Sequence, residues 1–169
     1  MSNLSVSDNS SQQAQNLGQL SGSTTTGAQG SSNGSNTSSS SGQTIDPSTF
    51  SQYEQYKDKT SALFGDIQVG SGKEVGQNSK VAVLYKGWLT NGQMFDQSRT
   101  GSDGKIQPFV FTMGAHEVIS GWEQGVYGMK VGGSRLIIVP PAVGYGNTPT
   151  DSIPANSLLV FQVQVLDVQ

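Results

Sequence analysis

In the C-terminal two-thirds of this chain one stretch reads clearly as a helix, Glu-Val-Ile-Ser-Gly-Trp-Glu-Gln-Gly-Val-Tyr-Gly at residues 117–128, and the apolar segments around it read as strands. A domain with one short helix among strands has few ways to bury a core, and the simplest is a sheet that covers the helix. Ser120 and Glu123 have the spacing of a capping box, and Gly128 suits a left-handed C-terminal cap. The helix is therefore predicted to start near Gly121 and to last about two turns. Trp122 falls in its first turn, with Val118 and Ile119 just upstream.

The flanking segments obey a period of two. Val81, Val83 and Tyr85 share one face of a strand, and Asn91-Gly92 between Trp88-Leu89-Thr90 and Gln93-Met94-Phe95-Asp96 is a hairpin signal. Asp66–Val69 reads as a strand ending in Gly70-Ser71-Gly72. A nucleotide loop would need a helix next, and the next segment is the strand 81–85. Phe109 and Phe111 share a face. Arg135–Val139 is a strand stopped by Pro140-Pro141, and Leu159, Phe161, Val163 and Val165 alternate with Val160, Gln162 and Gln164. The sum is an α+β domain, an antiparallel sheet with the short helix on its apolar face.

Residues 1–43 hold 14 Ser, 6 Gly, 6 Gln, 5 Asn and 4 Thr, with Asp8 the only charge. Such a segment has almost no apolar surface to offset the entropy of ordering, so residues 1–45 are predicted to be a disordered tail. Its four Asn-x-Ser/Thr triplets, at Asn3, Asn9, Asn33 and Asn36, arise by chance in so Ser- and Asn-rich a stretch. Residues 46–64 form a linker with a possible helix over 47–60: Asp46-Pro47 has the form of an N-cap followed by Pro at N1, and Phe50, Tyr53, Tyr56 or Lys57, Thr60 and Leu63 recur at helical spacing behind it. The folded domain is expected over 65–169, about 100 residues, enough for one core.

A net charge of -3 with scattered lysines gives no nucleic-acid footprint. The absence of cysteine excludes disulfides and thiolate chemistry. No 18-residue apolar run is present, so the chain as given is expected to be soluble, in the cytoplasm or, if the tail tethers the domain to an anchor, outside it. Nothing in the residues demands a dimer, and the chain reads as a monomer.

Tyr85, Phe95, Asp96, Phe109, Phe111, Val118, Ile119, Trp122, Tyr145 and Phe161 come from several elements that must all meet one short helix. Singly, each aromatic is explained as core. Asp96 at a strand end and Tyr145 in a Gly-rich loop add polar groups to the rim of an apolar set, which is the pattern of a pocket. His116 has no acid or serine at triad spacing and reads as a partly exposed turn residue.

Tyr85-Lys86-Gly87, Gly92-Gln93-Met94-Phe95-Asp96-Gln97-Ser98, Glu117 to Gly125, Met129-Lys130-Val131-Gly132-Gly133, Pro140-Pro141, Gly144-Tyr145-Gly146 and Leu159-Val160-Phe161 resemble, in order, the motifs of the FKBP family of macrolide-binding peptidyl-prolyl cis-trans isomerases. The resemblance covers about residues 66–169. It implies an antiparallel half-barrel sheet wrapped around the helix, and a site for proline-containing polypeptides and for macrolides such as rapamycin that requires neither cofactor nor metal. It implies Trp122 as the floor of a proline pocket and Tyr85, Phe95, Phe109, Val118, Ile119 and Phe161 as walls, with Phe111 and Ile153 also binding substrate. Asp96 and the Tyr145 hydroxyl form the rim, and the Ile119 N–H faces the ligand. Asp96 either tunes the pocket electrostatically or holds Tyr85 and nearby loops. Compared with compact members of the family, the segment from Phe95 to Phe109 is longer, and Asn147, Thr148 and Asp151 stand where apolar residues often sit. A non-catalytic module for proline peptides on a flexible tether is the competing reading.

Overall fold

The structure, a computed structural model, describes residues 45–169; the expected tail lies almost wholly outside them. Six strands, β1 (Leu63–Gln68), β2 (Lys80–Leu89), β3 (Met94–Gln97), β4 (Phe109–Thr112), β5 (Ser134–Val139) and β6 (Leu159–Val168), form one antiparallel sheet. Its order is β1-β5-β6-β2-β3, with β4 on the same edge of β2 as β3 but further toward its start. One α-helix, Ser120–Val126, lies against β5. The antiparallel sheet with a single short helix is the architecture expected from the sequence.

The period of two divides the apolar residues between two faces. Val81, Val83, Ile137, Val139, Leu159, Phe161, Val163 and Val165 bury toward the helix with Trp122 and Val126. Gly121 and Gly125, one helical turn apart, are what allow that approach: a Cβ on either would come within 2.5 Å of Val139 or 2.6 Å of Ile137. Arg135, 7% exposed, closes the other end of the helix. Its Nη1 donates to the carbonyls of Gly125 (2.8 Å) and Tyr127 (3.3 Å), its Nε to Asp66 (2.6 Å), and its guanidinium lies over the Phe64 ring.

The capping box does not form. Ile119 is the N-cap, Ser120 is already the first helical residue, and no side chain caps the helix. Glu123 instead accepts hydrogen bonds from the amides of Gly114 (3.1 Å) and His116 (3.2 Å), which the preceding turn, with positive φ at both residues, swings toward it. Gly128, at φ 76°, terminates the helix as expected and donates to the Val75 carbonyl.

On the opposite face Trp88, Leu136, Ile138, Leu158 and Val160 are buried by the segment Pro47–Tyr56, a 3-10 helix capped by Asp46. Phe50, Tyr53 and Tyr56 are spaced by three, so at three residues per turn they fall in one row. That row fits this helix type better than the α-helical period, and it lies on the sheet: Phe50 and Tyr53 are each 1% exposed, and the Phe50 ring meets the Trp88 indole edge-on at 5.5 Å. Val160, expected to alternate outward, is thereby buried as well.

Candidate functional site

The site is assembled around the β2–β3 hairpin. Its turn closes with Gly92 N–H donating to Leu89 (3.0 Å) and Leu89 N–H donating to Gln93 (2.9 Å), with Gly92 at φ 85°. Just beyond, Gly87 faces Asp96 while Trp88 faces Met94, which leaves Phe95 as the extra residue of a β-bulge. Adjacent strand residues ordinarily point to opposite faces; the bulge re-aims the strand, so Phe95 and Asp96 both line one cavity. Gly87 makes room behind them. A Cβ there would lie 2.8 Å from both the Phe95 and the Phe161 rings, which meet perpendicular at 5.5 Å.

Trp122 forms the floor. Edges of Tyr85 (5.1 Å), Phe161 (5.3 Å), Phe111 (5.9 Å) and Phe109 (6.0 Å) surround its indole at steep angles, the arrangement the ring quadrupoles favour. The cavity, about 450 Å³, is lined by Tyr85, Phe95, Asp96, Phe109, Val118, Ile119, Trp122, Tyr145 and Phe161, with His116 and Glu117 at its edge. Nine of the residues singled out from the sequence thus meet in one place.

Phe111 and Ile153 do not line it. Phe111 is 1% exposed and supports Phe109 and Trp122 from behind. Ile153 is 5% exposed and packs into the core, its N–H held by the Thr150 hydroxyl. His116 and Glu117 were absent from the expected lining. Glu117 accepts the Thr112 N–H at 2.7 Å and so links β4 to the helix entrance; its place directly before Val118 and Ile119 was the available signal. His116, expected to be partly exposed, is 85% exposed and sits 3.6 Å from Glu123.

Polar groups cluster on the β3 side. The Tyr85 hydroxyl donates to Asp96 Oδ2 at 2.8 Å, while Oδ1 accepts the Gln97 N–H at 2.9 Å. Burial, and then the bond to Asp96, push the Tyr85 phenol far above its ordinary pKa; Arg99 opposes this weakly. Burial and the Asp96 charge raise Tyr145 too. Both phenols are therefore protonated donors at neutral pH. Among the described residues the Tyr145 hydroxyl has no hydrogen-bond partner, and no group of three His, Cys, Asp or Glu could hold a metal ion.

Residues 72–166, more than half of the chain, match the model of the FKBP-type peptidyl-prolyl cis-trans isomerase family. The chain is 40% identical over 127 residues to FK506-binding protein 4 of Mycosarcoma maydis, covering 75% of this chain and 32% of that one. It is 37% identical over 128 residues to a peptidyl-prolyl cis-trans isomerase of Saccharomyces cerevisiae, covering 73% and 30%. It therefore spans about a third of the length of these relatives. Among solved structures it is similar to AtFKBP13 (TM-score 0.56, 30% identity, 64% of this chain and 93% of that one) and to FkpA from Escherichia coli (TM-score 0.58, 31% identity, 71% and 57%). Fold, ordered motifs and aromatic cavity agree with the family match, and this chain belongs to the FKBP-type peptidyl-prolyl cis-trans isomerase family.

Proposed function

We propose that this chain accelerates rotation about X-Pro peptide bonds in protein folding, binding the prolyl ring against Trp122 and stabilising the twisted amide. The observation that carries this reading is the aromatic floor and walls around Trp122, an apolar cavity open to a prolyl ring and rimmed by protonated phenols. Rotation breaks no covalent bond, so the reaction calls for neither a nucleophile nor a cofactor. Its barrier, about 18–20 kcal/mol, is amide resonance.

Water stabilises the planar amide by hydrogen bonding to its carbonyl, and the twisted amide is less polar. Stripping that water favours the twisted form. A net hydrogen bond is worth about 1 kcal/mol and a tenfold rate about 1.4 kcal/mol, so desolvation alone supplies roughly fivefold. Further acceleration requires contacts made better in the twisted state than in the planar one. The Phe95, Phe161 and Tyr85 walls grip the ring, while the Tyr145 hydroxyl and the Ile119 N–H, at the helix entrance, are the donors available for the flanking carbonyls.

The reading is tested by the cis-to-trans rate of a short Xaa-Pro peptide with the wild-type chain and with Phe95→Ala. Acceleration by the first that falls about tenfold or more in the second supports it. No acceleration from folded wild type would overturn it and favour a binding module for proline peptides.

A further inference from the structure

The 3-10 helix Pro47–Tyr56 lies outside residues 72–166, which match the family model, yet it contacts the hairpin that carries Phe95 and Asp96. β3 is four residues long, mostly exposed, and an edge strand joined to β2 through only three paired positions. It nevertheless carries Phe95 and Asp96. Such a strand, interrupted by a bulge, keeps its register through few ladder pairs, helped by the Tyr85–Asp96 bond and by Ser98 N–H donating to the Tyr85 carbonyl.

Three contacts from the 3-10 helix reach this hairpin. Phe50 packs edge-on against Trp88, the residue paired with Met94 beside the bulge, on the face opposite the pocket. The Thr90 hydroxyl donates to the Glu54 carboxylate. The Pro47 carbonyl lies against the turn, 3.1 Å from where a Cβ on Gly92 would be. Inside the sheet, meanwhile, Gly87 sits against Phe95 and Phe161. The hairpin is thus held between the 3-10 helix and the pocket aromatics.

We propose that Phe50, with Thr90 and Glu54, positions the β2–β3 hairpin and thereby sets the fraction of molecules whose Phe95 and Asp96 are placed to receive a proline substrate. This rests on the isomerase reading above. A hairpin that is competent only part of the time weakens apparent substrate binding in proportion, without altering the rate once substrate is bound. The signature of a positioning role is therefore a raised KM at constant kcat, not simply a lower melting temperature.

The experiment uses the full chain, well below its melting temperature, with Phe50→Ala, Phe50→Leu and Thr90→Val. Steady-state isomerisation and amide hydrogen exchange at Leu89, whose N–H closes the hairpin turn, are both read. Phe50→Ala is expected to raise KM about threefold or more, leave kcat within about twofold and speed exchange at Leu89; Phe50→Leu restores most of both, and Thr90→Val shifts KM the same way by about twofold. Unchanged KM and exchange in folded Phe50→Ala, even with a lower melting temperature, would reduce the helix to a stabilising cover. Should Phe50→Ala fail to fold, Thr90→Val decides: a shift in KM supports the proposal and no shift overturns it. A wild-type chain without activity would sink the isomerase reading itself, whereas active wild type with indifferent variants sinks only the positioning role.

Discussion

Tyr85 on β2 donates its phenolic proton to Asp96 on β3 at 2.8 Å, tying together the two strands that the bulge at Phe95 loosens. With Oδ1 taken by the Gln97 N–H, Asp96 has one intramolecular partner for each carboxylate oxygen. This favours a holding role over a free charge in the pocket. Tyr85→Phe and Asp96→Asn should each lower kcat/KM several-fold, and the double variant should lose less than the product of the two. A double-mutant cycle is expected to give a coupling of about 1 kcal/mol. Strict additivity would separate the two residues' roles.

Alkaline pH should destabilise the fold through Tyr85 and Tyr145. Both are raised in the folded state by burial and by Asp96, above an ordinary value of about 10. At higher pH the unfolded chain releases these protons first, so the folded state binds more of them. Stability is then fully present below about pH 10 and falls as the pH rises beyond it. Urea unfolding between pH 9 and about 11 checks this, with Tyr85→Phe expected to flatten the upper part of the decline.

Gly87→Ala should cost both stability and activity. The new methyl would have to displace the Phe95 and Phe161 rings from 2.8 Å contacts. Overpacking of this kind costs about 1–3 kcal/mol, and movement of Phe95 should weaken peptide binding at the same time. Denaturant midpoints and peptide titration measure the two effects separately.

Arg135→Met should leave the pocket residues in place but loosen the helix that carries Trp122. The Gly125 and Tyr127 carbonyls and the Asp66 carboxylate each lose a charged donor. With Asp66 39% exposed and able to find water, a loss of about 2–3 kcal/mol is expected by chemical unfolding.

The strands of the core were legible because burial on the helix side follows a period of two; Val81, Val83, Phe161 and Val163 needed nothing more. The pocket was legible because aromatics from several elements had to converge on Trp122. Local spacing misled where a longer-range partner won. Glu123 bonds the amides of the preceding turn in place of closing a capping box. Ile153, which the family resemblance and not spacing suggested for the site, turns into the core. Other features had no local sign. The bulge that brings Phe95 and Asp96 to one face is a property of strand register, and the burial of Val160 depends on the 3-10 helix, more than a hundred residues earlier in the chain.

If this chain isomerises X-Pro bonds, the cavity over Trp122 is where it does so. The most direct measurement is the cis-to-trans rate of an Xaa-Pro peptide with the wild-type chain as rapamycin is added in increments. An accelerated rate that falls to the uncatalysed value at saturation is expected, with Trp122→Ala showing neither acceleration nor macrolide binding. Acceleration that persists with the macrolide demonstrably bound in the cavity would place the catalytic site elsewhere and contradict it.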